Sequence, residues 1–190
     1  MNTPSDDLSP VFRALRFAAA RHRRQRRKDS EDTPYINHLI AVLGILWETG
    51  GVRDPVTLTA AVLHDTIEDT ETSRAELERE FGAEVAGLVA EVSDDKTLPK
   101  QRRKELQIEQ AGTASSRARQ LKLADKTANV SDIGMGPPLT WSPERRSEYV
   151  DWARQVVDRI RGANPELEAH FDRACAEACR RLAQEGADTA

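Results

Sequence analysis

The sequence predicts an all-α, multi-helix bundle. Apolar residues recur at helical spacing in one stretch after another. Between the stretches stand Pro, Gly and Ser/Thr/Asp/Asn in the positions that start and stop helices. No segment alternates apolar and polar residues between hairpin turns. About eight to ten helices with short connections are expected.

Residues 11–28 form the first helix candidate. Val11, Leu15 and Ala18 repeat at helical spacing, and Phe12 and Phe17 widen the face. The second half of that stretch holds six Arg or Lys and one His, and the segment from Asp29 to Pro34 breaks it. His22 reads as a surface residue, and most of the basic run as a solvated helix face. Residues 36–48 form an apolar second helix stopped by Gly50-Gly51. Asp54 and Pro55 then supply an N-cap and a first-turn proline. The helix they open runs to about Asp69 and is apolar nearly all round, from Val56 and Leu58 to Leu63 and Ile67. Such a helix belongs in the middle of a domain. Helices over 72–81 and 83–92 are separated near Gly82. A polar loop over 94–100 precedes helices at 101–111 and 115–133. The Gly134 to Pro138 break ends the latter. Ser142 or its neighbour caps a helix over 143–160, and Asn164-Pro165 opens the last, to about Glu185.

The chain has 190 residues, within the length of one domain, and can bury a core without disulfides. Its 28 Lys and Arg against 32 Asp and Glu leave a net charge of −4. That balance disfavours a general binder of nucleic acid or anionic membrane. No apolar run approaches the ~20 residues of a membrane span. The N-terminus lacks the basic and apolar regions of a secretory signal. Cys175 and Cys179 are the only cysteines, one helical turn apart, and read as small half-buried residues. A cytoplasmic location fits these features. Oligomeric state is left open.

The chemistry concentrates in Leu63-His-Asp-Thr-Ile-Glu-Asp69. At ~100° per residue, His64 shares a face with Glu68, and Asp65 with Asp69. Four ionisable groups on a core helix are costly to bury unless they are paired or hold a metal. Asp125 is a further carboxylate in an apolar helical setting, with Asn129 one turn on. His38 opens the second helix. His38, His64, Asp65 and Asp125 make a mixed imidazole and carboxylate set suited to a first-row divalent ion such as Mn, Fe or Zn. Such an ion acidifies water and polarises a phosphoryl oxygen.

His38, His64-Asp65 and Asp125 resemble the H…HD…D signature of the HD phosphohydrolase superfamily. Five ordered blocks extend the likeness: Gln25-Arg-Arg-Lys-Asp29, Thr33-Pro-Tyr-Ile-Asn-His38, Leu63 to Thr70, Asp94-Asp-Lys-Thr-Leu-Pro-Lys100 and Leu121-Lys-Leu-Ala-Asp-Lys126. They resemble the hydrolase domain of RelA/SpoT proteins, and most closely the small stand-alone alarmone hydrolases, the SpoT homologues without a synthetase domain. The resemblance implies an HD-domain bundle and a Mn-dependent enzyme, with one Mn2+ per site or another divalent metal in its place. The implied reaction removes the 3′-pyrophosphate from ppGpp or pppGpp. It implies His38, His64, Asp65 and Asp125 as metal ligands, and Glu68 and Asp69 as the acidic pair that positions and deprotonates the attacking water. It implies Arg27 and Lys28 as phosphate contacts, Asn129 as a residue facing the ribose, and Arg145 and Tyr149 as lining of the nucleotide pocket. Lys96, Lys100, Arg102 and Arg103 form a second basic group, one of which is a candidate to reach substrate. Tyr149 and Tyr35 also have a reading as core aromatics.

The implied organisation is a single hydrolase domain over 1–190, with a flexible tail at 1–9, a metal-site core over about 34–134 and C-terminal helices over about 142–185. The length leaves no room for a synthetase half. Two other readings stand beside this one. The first is an HD phosphohydrolase of another phosphorylated nucleotide, such as a 2′- or 3′-phosphorylated dinucleotide cofactor. The second is a non-catalytic alarmone-sensing module, which should lack a metal ligand or part of the acidic pair; here all six residues are present.

Overall fold

A computed structural model of the chain describes residues 7–188, which are helical without a β-strand. The helices are α1 (Ser9–Arg21), α2 (Ile36–Gly44), α3 (Pro55–Leu63), α4 (Thr66–Asp69), α5 (Arg74–Phe81), α6 (Ala83–Val92), α7 (Lys100–Ala111), α8 (Ser116–Met135), α9 (Pro143–Asp158) and α10 (Pro165–Asp188). A π-helical turn, Ile45–Thr49, extends α2. Of the expected tail, residues 1–6 lie outside the described residues, and Ser9 already belongs to α1.

The starts follow the expected side-chain chemistry. Asp54 Oδ2 accepts the Thr57 N–H at 3.0 Å, and Ser142 Oγ accepts that of Arg145 at 3.3 Å. Ser73 and Ser115 cap α5 and α8 in the same way, and Asn164 Oδ1 accepts the Leu167 N–H. Each such cap contributes about 1 kcal/mol by satisfying an orphan donor.

α3 is central as expected, and every residue from Thr57 to Leu63 is buried. It packs between α1, α2, α6 and α8. The long α8 meets α2, α6, α9 and α10, and its partner α10 brings the fully buried Leu167 and Phe171 to the core. Phe171→Ala is therefore expected to lower stability by about 3–5 kcal/mol, read from urea unfolding followed by circular dichroism. An unchanged midpoint would mean that α10 is not part of the cooperative core.

Two expected helices end early, and both ends shape the site. The stretch 11–28 leaves the helix after Arg21. Its backbone then pairs with residues 33–35: Arg27 N–H donates to Thr33 O, and Tyr35 N–H to Gln25 O. The basic run is thus mostly loop. His22, expected at the surface, is 3% exposed because the returning Tyr35 ring stacks over it at 5.0 Å. The helix 55–69 breaks at His64-Asp65. His64 Nδ1 takes the Ala61 carbonyl at 2.8 Å and Thr66 Oγ1 takes that of Leu63 at 2.6 Å, so side chains occupy carbonyls that a continuing helix needs.

Candidate metal centre and nucleotide pocket

The break in the α3–α4 segment turns His64 and Asp65 toward His38 on α2 and Asp125 on α8. His38, His64 and Asp65 each offer a ligand atom, all within 4.8 Å of one another. His64 Nε2 stands 3.1 Å from Asp65 Oδ2 and 3.6 Å from Asp125 Oδ1. His38 Nε2 stands 3.7 and 3.3 Å from the same two oxygens. Neighbouring ligands of one ion are roughly 3.0–3.5 Å apart when each lies about 2.0–2.2 Å from it.

The hydrogen bonding around this set supports a cation. The bond to the Ala61 carbonyl puts the His64 proton on Nδ1, so the Nε2 lone pair faces two carboxylates. That buried Nε2 makes no hydrogen bond. Acceptors facing acceptors in a buried site need a positive charge between them. The same demand for positive charge acts on protons. Burial opposes charge on His64, yet Asp65 and Asp125 outweigh it and raise its pKa well above 6.5. Burial likewise works against the Asp65 and Asp125 carboxylates. The neighbouring imidazoles, and for Asp125 also Lys126, hold both below their ordinary range.

Partners one step out orient the two carboxylates. Tyr35 Oη donates to Asp65 Oδ2 at 2.6 Å. Lys126 Nζ donates to Asp125 Oδ2 at 2.9 Å, and Asn129 Nδ2 to Asp125 Oδ1 at 2.6 Å. Such partners tune ligand geometry, and losing one costs about 10–100-fold in metal affinity. Tyr35→Phe is expected to weaken divalent-ion binding by about that factor with the fold intact, as read by calorimetric titration. Wild-type affinity in this variant would show that the phenol does not orient Asp65.

The centre forms one wall of a cavity of about 540 Å³. Glu68 lines it too, and Glu68 Oε1 accepts the Asp94 N–H at 2.6 Å. Burial, with Asp94 and Asp65 nearby, pushes the Glu68 carboxyl up to about 7. Lys28, Lys100, Arg103, Lys104 and Arg145 line the same cavity, with Trp141, Tyr149 and Trp152. Arg145 lies over the Trp141 ring at 4.4 Å, and Tyr149 sits between Trp141 and Trp152. A second cleft of about 320 Å³ adjoins it, sharing Lys28, Tyr35, Asn129, Trp141 and Tyr149.

The sequence-expected residues divide between the two spaces. His38, His64, Asp65, Glu68, Asp125, Asn129, Lys28, Arg145 and Tyr149 line the larger cavity. Asp69 and Arg27 line the adjoining cleft. Asp69 is held there by Gln25 Nε2 at 2.8 Å and by Lys96 Nζ. Arg27 donates to Asn129 Oδ1 at 3.0 Å and pairs with Asp132. Of the second basic group, Lys100 and Arg103 reach the cavity, whereas Arg102 pairs with Glu105 and Glu109 on the outer face of α7. Sequence reasoning missed Trp141, Trp152, Lys104, Lys126 and the Tyr35 contact. A signal existed for Tyr35 and Lys126, since both lie inside the quoted blocks.

Two imidazoles and two carboxylates at the break of a central helix, in an all-α bundle beside a cationic cavity, define a metal-dependent phosphohydrolase class. The chain belongs to the HD-domain family: the family model described as HD domain matches residues 14–139. The Homo sapiens guanosine-3′,5′-bis(diphosphate) 3′-pyrophosphohydrolase MESH1 is 52% identical over 162 residues, 85% of this chain and 90% of that protein. The Xenopus tropicalis protein of the same name is 49% identical over 168 residues, 88% of this chain and 94% of its own. A solved structure, described as a metazoan ortholog of SpoT that hydrolyzes ppGpp, matches with a TM-score of 0.86 at 46% identity, covering 93% of this chain and 98% of that one.

Proposed function

We propose that the chain is a (p)ppGpp 3′-pyrophosphohydrolase, converting ppGpp to GDP and pppGpp to GTP with release of pyrophosphate. The likeness to the MESH1 proteins and to the metazoan SpoT ortholog supports the activity. The structural observation that carries it is the ligand cluster on one wall of a cavity whose other walls are cationic and aromatic.

In this reading His38, His64, Asp65 and Asp125 hold one Mn2+. When bound, such an ion acidifies water and neutralises charge developing on the phosphoryl group. Glu68, with a pKa near neutrality, takes the proton of the attacking water. Asp69, beside it in sequence, orients that water from the adjoining cleft. Water adds to the phosphorus borne by the 3′ oxygen. The P–O3′ bond breaks, the proton passes to the 3′ oxygen, and pyrophosphate leaves. Lys28, Arg27 and Arg145 bind phosphate oxygens. Tyr149 packs against the nucleoside, and Asn129 faces the ribose. Residues 1–190 act as one hydrolase domain, with a tail ahead of α1, a metal-site core over about 34–134 and C-terminal helices over about 142–185, of which the first lends Arg145, Tyr149 and Trp152 to the cavity. No helix among the described residues is long and apolar enough to cross a membrane. The proposed site of action is cytoplasmic.

The test is pyrophosphate release from a nucleotide panel by metal-stripped protein reloaded with Mn2+, Mg2+, Fe2+, Co2+ or Zn2+. Fastest turnover of ppGpp or pppGpp with Mn2+ is expected. Faster turnover of a phosphorylated dinucleotide would move the reading to another nucleotide. Tight ppGpp binding without turnover would make the chain a sensor.

A further inference from the structure

His22 stands outside the metal ligands and outside both water-handling carboxylates, yet it touches the supports of each. It sits just past the end of α1 and is buried. Its Nδ1 lies 2.6 Å from Gln25 Oε1, and Gln25 Nε2 donates to Asp69 Oδ2 at 2.8 Å. A carboxylate only accepts, so Gln25 must turn its NH2 to Asp69 and its oxygen to His22. The proton of His22 is thereby placed on Nδ1. One face of the same ring stacks on Tyr35 with an interplanar angle of 22°. The Tyr35 hydroxyl in turn donates to Asp65. The remaining ring nitrogen, Nε2, is buried with no hydrogen-bond partner. A buried unpartnered acceptor destabilises a fold. Packing alone would therefore favour Phe or Leu at this position. What the imidazole adds is one N–H aimed at Gln25 and a flat face under Tyr35.

We infer that His22 and Gln25 are positioning residues for the hydrolysis, linked as His22–Gln25–Asp69, with His22 also backing the Tyr35 that orients Asp65. The inference rests on the function proposed above, in which Asp69 orients the attacking water. Lys96 binds the other Asp69 oxygen, so Gln25 sets the rotation of a carboxylate that is held at both ends. Neither residue reaches the larger cavity where the metal ligands converge, and only Gln25 lines the adjoining cleft.

The test is a set of double-mutant cycles on Mn2+-loaded protein. His22→Phe keeps the ring stack and removes the N–H. Gln25→Met keeps the length and removes the donor. Each is expected to lower kcat for ppGpp by about 10–100-fold, the scale of a misplaced reacting group. KM is expected to stay within about twofold, with metal content per chain unchanged. His22→Phe/Gln25→Met and Gln25→Met/Asp69→Asn are expected to fall no further than the worse single variant of each pair. A kcat within twofold of wild type in either folded, metal-loaded single variant overturns the inference. So do losses that multiply in the doubles, which mark general weakening. If Gln25→Met does not fold, His22→Phe and its combination with Asp69→Asn decide alone. An imidazole 15N NMR spectrum reads the same link without substrate. His22 is expected to be protonated at Nδ1, with that signal shifted in Gln25→Met, and an unprotonated Nδ1 overturns the link. Absence of ppGpp turnover by the wild type would instead sink the functional reading and leave the NMR result to judge the contact.

Discussion

His64→Ala is expected to lower kcat/KM for ppGpp by about 10³-fold or more and to strip the protein of its divalent ion. A bound metal supplies several kcal/mol of transition-state stabilisation, and ~4 kcal/mol is about a factor of 10³. His64 is a buried member of the proposed ligand set. Its Nδ1 is tied to the Ala61 carbonyl and its Nε2 faces Asp65 and Asp125. Alanine leaves two half-buried carboxylates with one imidazole fewer to draw a cation between them. Metal analysis and kinetics on the same preparation check the expectation. A variant that keeps one ion per chain and turns over ppGpp within tenfold of wild type would show that the chemistry lies elsewhere. Chelation should inactivate the wild type in the same manner, with Mn2+ restoring it.

Glu68→Gln is expected to lower kcat by about 10²–10⁴-fold while leaving the bound metal in place, the usual range for loss of a general base. Glutamine keeps the acceptor for the Asp94 N–H and loses only the capacity to take a proton. The pH profile carries the sign. Burial raises the Glu68 pKa to about 7, and a base acts only when ionised, so wild-type kcat/KM should fall as pH drops through that region. A bound cation nearby favours the carboxylate and moves this limb to lower pH. Glu68→Gln should lose the limb. Stability runs the other way. A carboxyl whose folded pKa lies above its unfolded value of 4.5 destabilises the fold increasingly as pH rises from there through about 7. Metal-free Glu68→Gln is therefore expected to be more stable than metal-free wild type at pH 8, by about 1–3 kcal/mol. Equal activity of the two proteins across pH would remove Glu68 from the mechanism.

Much of the fold was legible in local chemistry. Asp54-Pro55, Ser142-Pro143 and Asn164-Pro165 mark helix starts that the structure keeps, because a cap is decided within a few residues. The apolar girth of residues 55–63 placed α3 at the centre. Two of the candidate ligands, His64 and Asp65, were legible too, since ionisable groups on an apolar helix demand a reason to be buried. The misreadings came where distant groups compete with local pattern. Asp65 and Asp69 keep their one-turn offset, with the Asp69 N–H on the Asp65 carbonyl, yet Asp65 and Glu68 line the cavity while Asp69 lines the adjoining cleft, where Gln25, 44 residues away, holds it. His22 looked like a surface residue because its neighbours are five arginines and one lysine. Tyr35, brought back by backbone pairing with Gln25, covers it.

By itself, then, the sequence determined the all-α class, the helix starts, the candidate ligands and the kind of ion they suit. These follow from periodicity, capping and side-chain chemistry, which act over one or two turns. Only the tertiary structure decided where the central helix breaks, which carboxylate meets which cavity, and which cations of two basic runs face inward. Those outcomes depend on contacts between residues far apart in the chain. Their physical reason is that a buried polar group takes whichever partner the packed helices bring within hydrogen-bonding distance.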